Sequence, residues 1–347
     1  MYLQSLANRV PQHAYSQGDT WEMLQQAEPF HHLLDRSKYI LEKILIGGAS
    51  GIQKRHFAVP DVHNVFKRDA EELNREFERE APILAADTLK DALDQAGMIP
   101  QELDAIVLCT CTGYLCPGVT SYVAERLDMR RDVYLNDVVG LGCGAAVPSL
   151  RAAEGLIAAN PEMKVGVIAV EICSAAFYID DDPGVLVSLC LFGDGCSASI
   201  WSGKPGPTGL RTKNFDTLHI PEDRELLRFE NSQGKLRNKL HLTVPQKAAI
   251  AVDKLYAKQD VNGIARVLPH AGGRDVLVAV GETIKDFELS EAEAVLSNYG
   301  NMSSPSVMFA LGEYLNGHVN GSLDGKDLWL TSFGAGFAAH SFMLGRD

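Results

Sequence analysis

Short apolar runs alternate with helix-period stretches along most of this chain, and that alternation limits the folds open to it. The run 104–110 (DAIVLCT) is apolar at successive positions, the pattern of a strand buried on both faces. Before it, residues 70–97 carry a helical pattern that ends at Gly97, with Pro100 just beyond; Pro82 inside it predicts a break or kink. Runs 132–139 and 164–173 predict two more strands, separated by a glycine-rich turn and a helical stretch to Asn160. The interval at about 203–238 is polar and reads as poor in strands. The alternation then resumes, with helix 246–258, strand 264–268, a helix after Gly273, a helix from Pro305 and strand 328–332. Strands alternating with helices predict an α/β protein with largely buried sheets. For 347 residues two such halves are expected, 1–205 and 206–347.

Thirty-two basic against 45 acidic side chains leave a net charge of −13, which argues against a general nucleic-acid binder. An anionic ligand must therefore meet a local basic patch or backbone amides. The first residues lack a basic segment followed by an apolar one, and no apolar run approaches about 18–20 residues. Seven cysteines are an odd number without the density of a disulfide scaffold. A reduced, cytoplasmic protein with no membrane span is expected.

Cys143 is the first candidate for chemistry. It follows a strand, lies among Gly140, Gly142 and Gly144, and opens an alanine-rich helix. Free N–H groups and the positive end of such a helix favour a thiolate, and lowering a thiol pKa by about two units makes it mostly nucleophile at neutral pH. Pro148 implies that the helix starts late or is locally distorted. His270 closes the run ARVLPH before a glycine turn, and Asn301 stands in a loop leading into a helix. Each has a plain alternative: a buried packing cysteine, a satisfied histidine at a strand end, an asparagine cap. Together they supply a thiol, a proton shuttle and a neutral hydrogen-bond donor, a set suited to acyl transfer. No metal is expected. Asp180 to Asp182 read as the entry to a helix, and Cys109, Cys111 and Cys116 lack a zinc spacing.

Six segments occur in a characteristic order: the run 109–118 (CTCTGYLCPG), Gly142-Cys143-Gly144, 191–195 (LFGDG), 269–273 (PHAGG), 299–304 (YGNMSS) and 332–336 (SFGAG). In this the chain resembles the type III polyketide synthases, the chalcone-synthase-like branch of the thiolase superfamily, over about residues 45–345. The resemblance implies a thiolase fold, two similar halves with mixed central sheets in an α/β/α/β/α layering. It implies a catalytic triad of Cys143, His270 and Asn301, with CoA thioesters as substrates and no cofactor. An acyl-CoA starter would load onto Cys143. His270 and Asn301 would stabilise the enolate formed as malonyl-CoA loses CO₂, and ring closure would give a pyrone, resorcinol or phloroglucinol. Phe192 matches the first gate of the family. The second falls within 240–244, assigned to Val244 with Leu240 as the shifted register, and no Phe stands there. Cys111, Ala176, Ser303, Gly334 and Gly336 are implied cavity residues; Cys111 and Ala176 fall where plant chalcone synthases tend to have Thr. Lys54 and Arg55 match the basic CoA-entry segment, and a homodimer is implied.

Two other readings are open at this stage. Gly140-x-Gly142-x-x-Ala145 after a strand, with Glu171 ending the next one, has the outline of a dinucleotide site. It lacks a third glycine and leaves the triad unused. An initiating ketoacyl-ACP synthase shares the thiolase fold and a Cys-His-Asn triad, but places an Asn shortly after its His, where Ala271-Gly272-Gly273 stands here.

Overall fold

The computed structural model describes residues 1–60, 62–317, 323 and 325–346. Nine strands form one continuous mixed sheet with a seam near its middle. Outward from the seam on one side run Tyr2–Arg9, Gly195–Ser202, Lys164–Glu171, Ala105–Cys109 and Tyr134–Val138. On the other run Leu210–His219, Ala338–Arg346, Asp327–Gly334 and Ile264–Pro269. Both sides repeat one plan, antiparallel next to the seam and parallel beyond it. The antiparallel pairing of Tyr2 with Arg211 joins them.

Strand Ala105–Cys109 shows how the apolar run becomes layers. Ala105, Val107 and Cys109 pack into one core while Ile106 and Leu108 pack into a second, as period-2 side chains must. Helices Ala146–Ala159 and Ser306–Gly317 touch strands of both sides and lie between them. Helix Ala70–Ala96 covers one outer face, and Val244–Tyr256 with Arg274–Thr283 covers the other. This is the five-layered thiolase arrangement. Among the described residues no helix is long and apolar enough to cross a membrane.

Two expectations fail locally. Helix Ala70–Ala96 runs unbroken through Pro82; a capping box between Asp69 and Glu72 starts it, and Phe77, Ala81, Leu84, Ala85 and Leu89 bury its inner face. The interval 203–238 is rich in strands. It holds Leu210–His219 and a hairpin, Leu227–Ser232 with Lys235–Leu240. The hairpin turns through Gln233 and Gly234, both at positive φ, as a two-residue turn requires. Its side chains alternate between cavity and solvent, so it reads as polar although it is regular.

The basic segment expected to meet CoA turns inward. Arg55 is fully buried on strand Lys54–His56. Its guanidinium donates to Gln17 Oε1 at 3.1 Å, Thr20 Oγ1 at 3.1 Å, Leu189 O at 2.7 Å and Phe192 O at 2.8 Å. It also stacks on Phe57. Burial pulls its pKa down to about 10. The assignment of Arg55 to CoA is therefore corrected: its donors are committed to the end of helix Pro183–Leu191, which places Phe192. Nearby Asp194 accepts from Ala58 N, Ser174 N and Ser174 Oγ, and burial raises its pKa to about 6. Arg55→Met leaves buried carbonyls without donors, so a loss of about 3–5 kcal/mol is expected from urea unfolding. Unchanged stability with weakened CoA-thioester binding would restore the ligand assignment.

Candidate active site

Cys143 lies in a single 3-10 turn, Gly142–Gly144, and the regular helix starts only at Ala146. Pro148 thus falls in the first helical turn, where a missing N–H is harmless. Gly142 has φ +57, a left-handed conformation that favours glycine. Facing this turn is the end of strand Asp327–Gly334. A Cβ on Gly334 would lie 2.5 Å from Gly144 N and 3.0 Å from Cys143 N. Ser332 Oγ donates to Gly144 O at 3.2 Å. Backbone therefore meets backbone where the nucleophile is held.

The structure brings Cys143, His270 and Asn301 to the wall of one cavity of about 270 Å³, with Phe192, Leu240, Val244 and Phe333. His270 follows strand Ile264–Pro269, anchored by its N–H to Thr331 O at 2.8 Å, and its ring meets the edge of Phe333. Its Nδ1 is buried with no partner, which leaves Nε2 as the working nitrogen. Asn301 Nδ2 donates to Gly272 O at 3.0 Å, and its Oδ1 accepts from Ser303 N at 2.8 Å. One Nδ2 hydrogen remains for a ligand. Asn301 N donates to Leu191 O and Gly193 N donates to Asn301 O, so the gate and the triad share a backbone bridge.

The electrostatics differ from expectation. Burial pushes the Cys143 thiol up to about 12, against which a Ser303 hydroxyl donating to Sγ at 3.2 Å acts in the lowering direction; the Glu171 carboxyl raises it further. The lowering anticipated from the helix N-terminus does not prevail: the Cys143 backbone N–H acts in the lowering direction, but desolvation dominates. Burial likewise pulls His270 down to about 3. The free site holds a neutral thiol beside a cavity that a neutral imidazole shares.

Ser303 links Cys143 to Cys111, whose Sγ is 3.1 Å from the same hydroxyl. Its φ of +61 is unusual for a side chain with a Cβ. Cys111, Ala176, Ser303 and Phe192 line a second, smaller cavity of about 40 Å³. Phe192 therefore stands between the two. Neither Gly334 nor Gly336 belongs to the wall of either cavity: Gly334 spaces the nucleophile turn, and Gly336 lines an outer groove with Gly140 and Ala335. Lys54 is exposed but lies outside the catalytic wall.

The role of Glu171 and the place of Arg274 escaped sequence reasoning. Glu171 is fully buried and accepts from Thr110 Oγ1, Cys111 N, Thr112 N, Thr112 Oγ1 and Ser304 Oγ. It ties the loop at 110–112 to the loop at 303–304 and cannot be a ribose-binding acid. The exposed Arg274 lines the catalytic cavity, and its stem lies against Gly51 at the mouth. Only the glycines before Arg274 hinted at a turn there.

A family model described as FAE1/Type III polyketide synthase-like protein matches residues 11–213. A 1,3,6,8-tetrahydroxynaphthalene synthase of Streptomyces coelicolor is 26% identical over 339 residues, covering 95% of this chain and 88% of that protein. A 3,5-dihydroxyphenylacetyl-CoA synthase of Streptomyces toyocaensis is 28% identical over 280 residues, covering 75% and 72%. The crystal structure of PKS-I from the brown alga Ectocarpus siliculosus superposes with a TM-score of 0.90 at 23% identity, covering 100% of this chain and 98% of that one.

The approach of Gly334 to the nucleophile turn leaves no room for a methyl group. In Gly334→Ala one backbone must move, and turnover is expected to fall about a hundredfold in steady-state assays. Unchanged turnover would show that this approach does not position Sγ.

Proposed function

This chain belongs to the FAE1/type III polyketide synthase-like family, and from that premise we propose that it condenses an acyl-CoA starter with malonyl-CoA on Cys143. The observation that carries the reading is the meeting of Cys143, His270 and Asn301 at one cavity. Cys143 Sγ attacks the starter's thioester carbonyl, and its proton passes to His270. CoA departs as the thiol, taking that proton from His270. The imidazolium is costly alone in a buried site, so it forms only as an anionic partner develops beside it. Malonyl-CoA then loses CO₂, and the electron pair of the broken C–C bond becomes a thioester enolate. His270 and Asn301 Nδ2 donate to the enolate oxygen. The enolate carbon attacks the acyl-Cys carbonyl, the Cys143 thiolate leaves, and it takes a proton from water.

In this reading Arg274, exposed on the cavity wall, supplies the cation that the buried Arg55 cannot, and the exposed Lys54 is an outer contact for the CoA phosphates. Exposed Tyr114 and Val139 on one groove support the homodimer that the resemblance implies. The names of the relatives support repeated malonate addition and aromatic closure, as in tetrahydroxynaphthalene or dihydroxyphenylacetyl-CoA.

The test is product formation from malonyl-CoA with a panel of acyl-CoAs. Cys143→Ala is expected to abolish condensation, and His270→Ala and Asn301→Ala to slow malonyl-CoA decarboxylation each by about 10²–10³-fold. Condensation by the Cys143→Ala protein, or normal CO₂ release by the other two, would contradict the assignment.

A further inference from the structure

The wall between the two cavities contains one residue that packing does not explain. On strand Lys235–Leu240 the positions facing inward are Leu236, Asn238 and Leu240. An apolar side chain is expected at the middle one. Asn238 instead is 4% exposed and lines both cavities, as Phe192 does.

The orientation of its amide follows from its neighbours. Ser188 Oγ donates its single hydrogen to Gly184 O at 2.5 Å. Only lone pairs of that hydroxyl remain for Asn238, so the atom 2.7 Å away must be Nδ2. Oδ1 is then the opposite atom, and it is buried without a hydrogen-bond partner. In the smaller cavity's wall Tyr178 Oη is buried and unpartnered as well. A buried carbonyl acceptor left alone is costly, and a ligand that brings a donor recovers that cost.

We propose that Asn238 is a specificity-determining residue whose Oδ1 accepts a hydrogen bond from an enol hydroxyl of the growing poly-β-ketone chain. This rests on the polyketide synthase reading above. Starter thioesters with simple acyl chains offer no donor, whereas each 1,3-dicarbonyl unit presents an O–H when it enolises. Asn238 therefore engages the chain only after extension has begun. It holds the extended chain past Phe192 while the next malonyl unit enters.

The experiment compares wild type, Asn238→Leu and Asn238→Asp with a saturated acyl-CoA and malonyl-CoA, reading products by mass spectrometry. Leu keeps the shape and removes the acceptor; Asp, kept protonated by burial, keeps an acceptor oxygen and donates its O–H to Ser188 Oγ as Nδ2 does. In Asn238→Leu the ratio of the longest product to the first-condensation product is expected to fall about tenfold, while Asn238→Asp stays near wild type. Equal product ratios in all three proteins would overturn the proposal. An equal loss in both variants would overturn it too, since the amide would then act only through its anchor on Ser188. Should Asn238→Leu fail to fold, Asn238→Val takes its place on the strand with the same criteria. A wild type that releases no CO₂ from malonyl-CoA would sink the synthase reading itself; a wild type that extends chains with ratios insensitive to Asn238 sinks only this inference.

Discussion

The site depends on backbone meeting backbone across the two halves of the chain. The turn that carries Cys143 comes from the first half, and the strand end that faces it comes from the second. They approach so closely that a single methyl on Gly334 would collide with Gly144 N and Cys143 N. A second join, the bridge between Phe192 and Asn301, ties the gate to the triad in the same way. Such contacts transmit position with little slack, because interiors pack at crystal-like density. The fold serves this function by burying helices Ala146–Ala159 and Ser306–Gly317 between its two sides.

The charges follow a related logic. Arg55, Asp194 and Glu171 are all fully buried, yet each spends its hydrogen-bonding capacity on loops and helix ends near the site. The reacting groups are kept neutral: burial raises the Cys143 thiol and lowers the His270 imidazole. Charge separation between them therefore waits for substrate, and the low-dielectric cavity then strengthens every donor that faces the developing anion.

Much of this was legible in the sequence, for identifiable reasons. The run 105–109 is apolar at every position because both its faces are buried, and its shortness between turn signals marks it as a strand. Cys143, His270 and Asn301 stood out because glycines or turn residues flank each one. Other features were hidden because their causes are remote in sequence. Arg55 looks like a surface cation in Lys-Arg-His, and acceptors remote in sequence, Gln17, Thr20 and the carbonyls of Leu189 and Phe192, turn it inward. The hairpin at 227–240 alternates between cavity and solvent, so its composition reads as loop. The late helix start at Ala146 was signalled by Pro148, but the packing of the turn against Gly334 was not.

Cys143 itself carries the acyl group, activated by a cavity it shares with His270. Peptide mass spectrometry after brief incubation with an acyl-CoA, in the absence of malonyl-CoA, reads this directly. The acyl mass is expected on the peptide containing Cys143, lost on hydroxylamine treatment and formed far more slowly in His270→Ala. An acyl group found on Cys111, Cys173 or another side chain instead, with Cys143 unmodified, would contradict it.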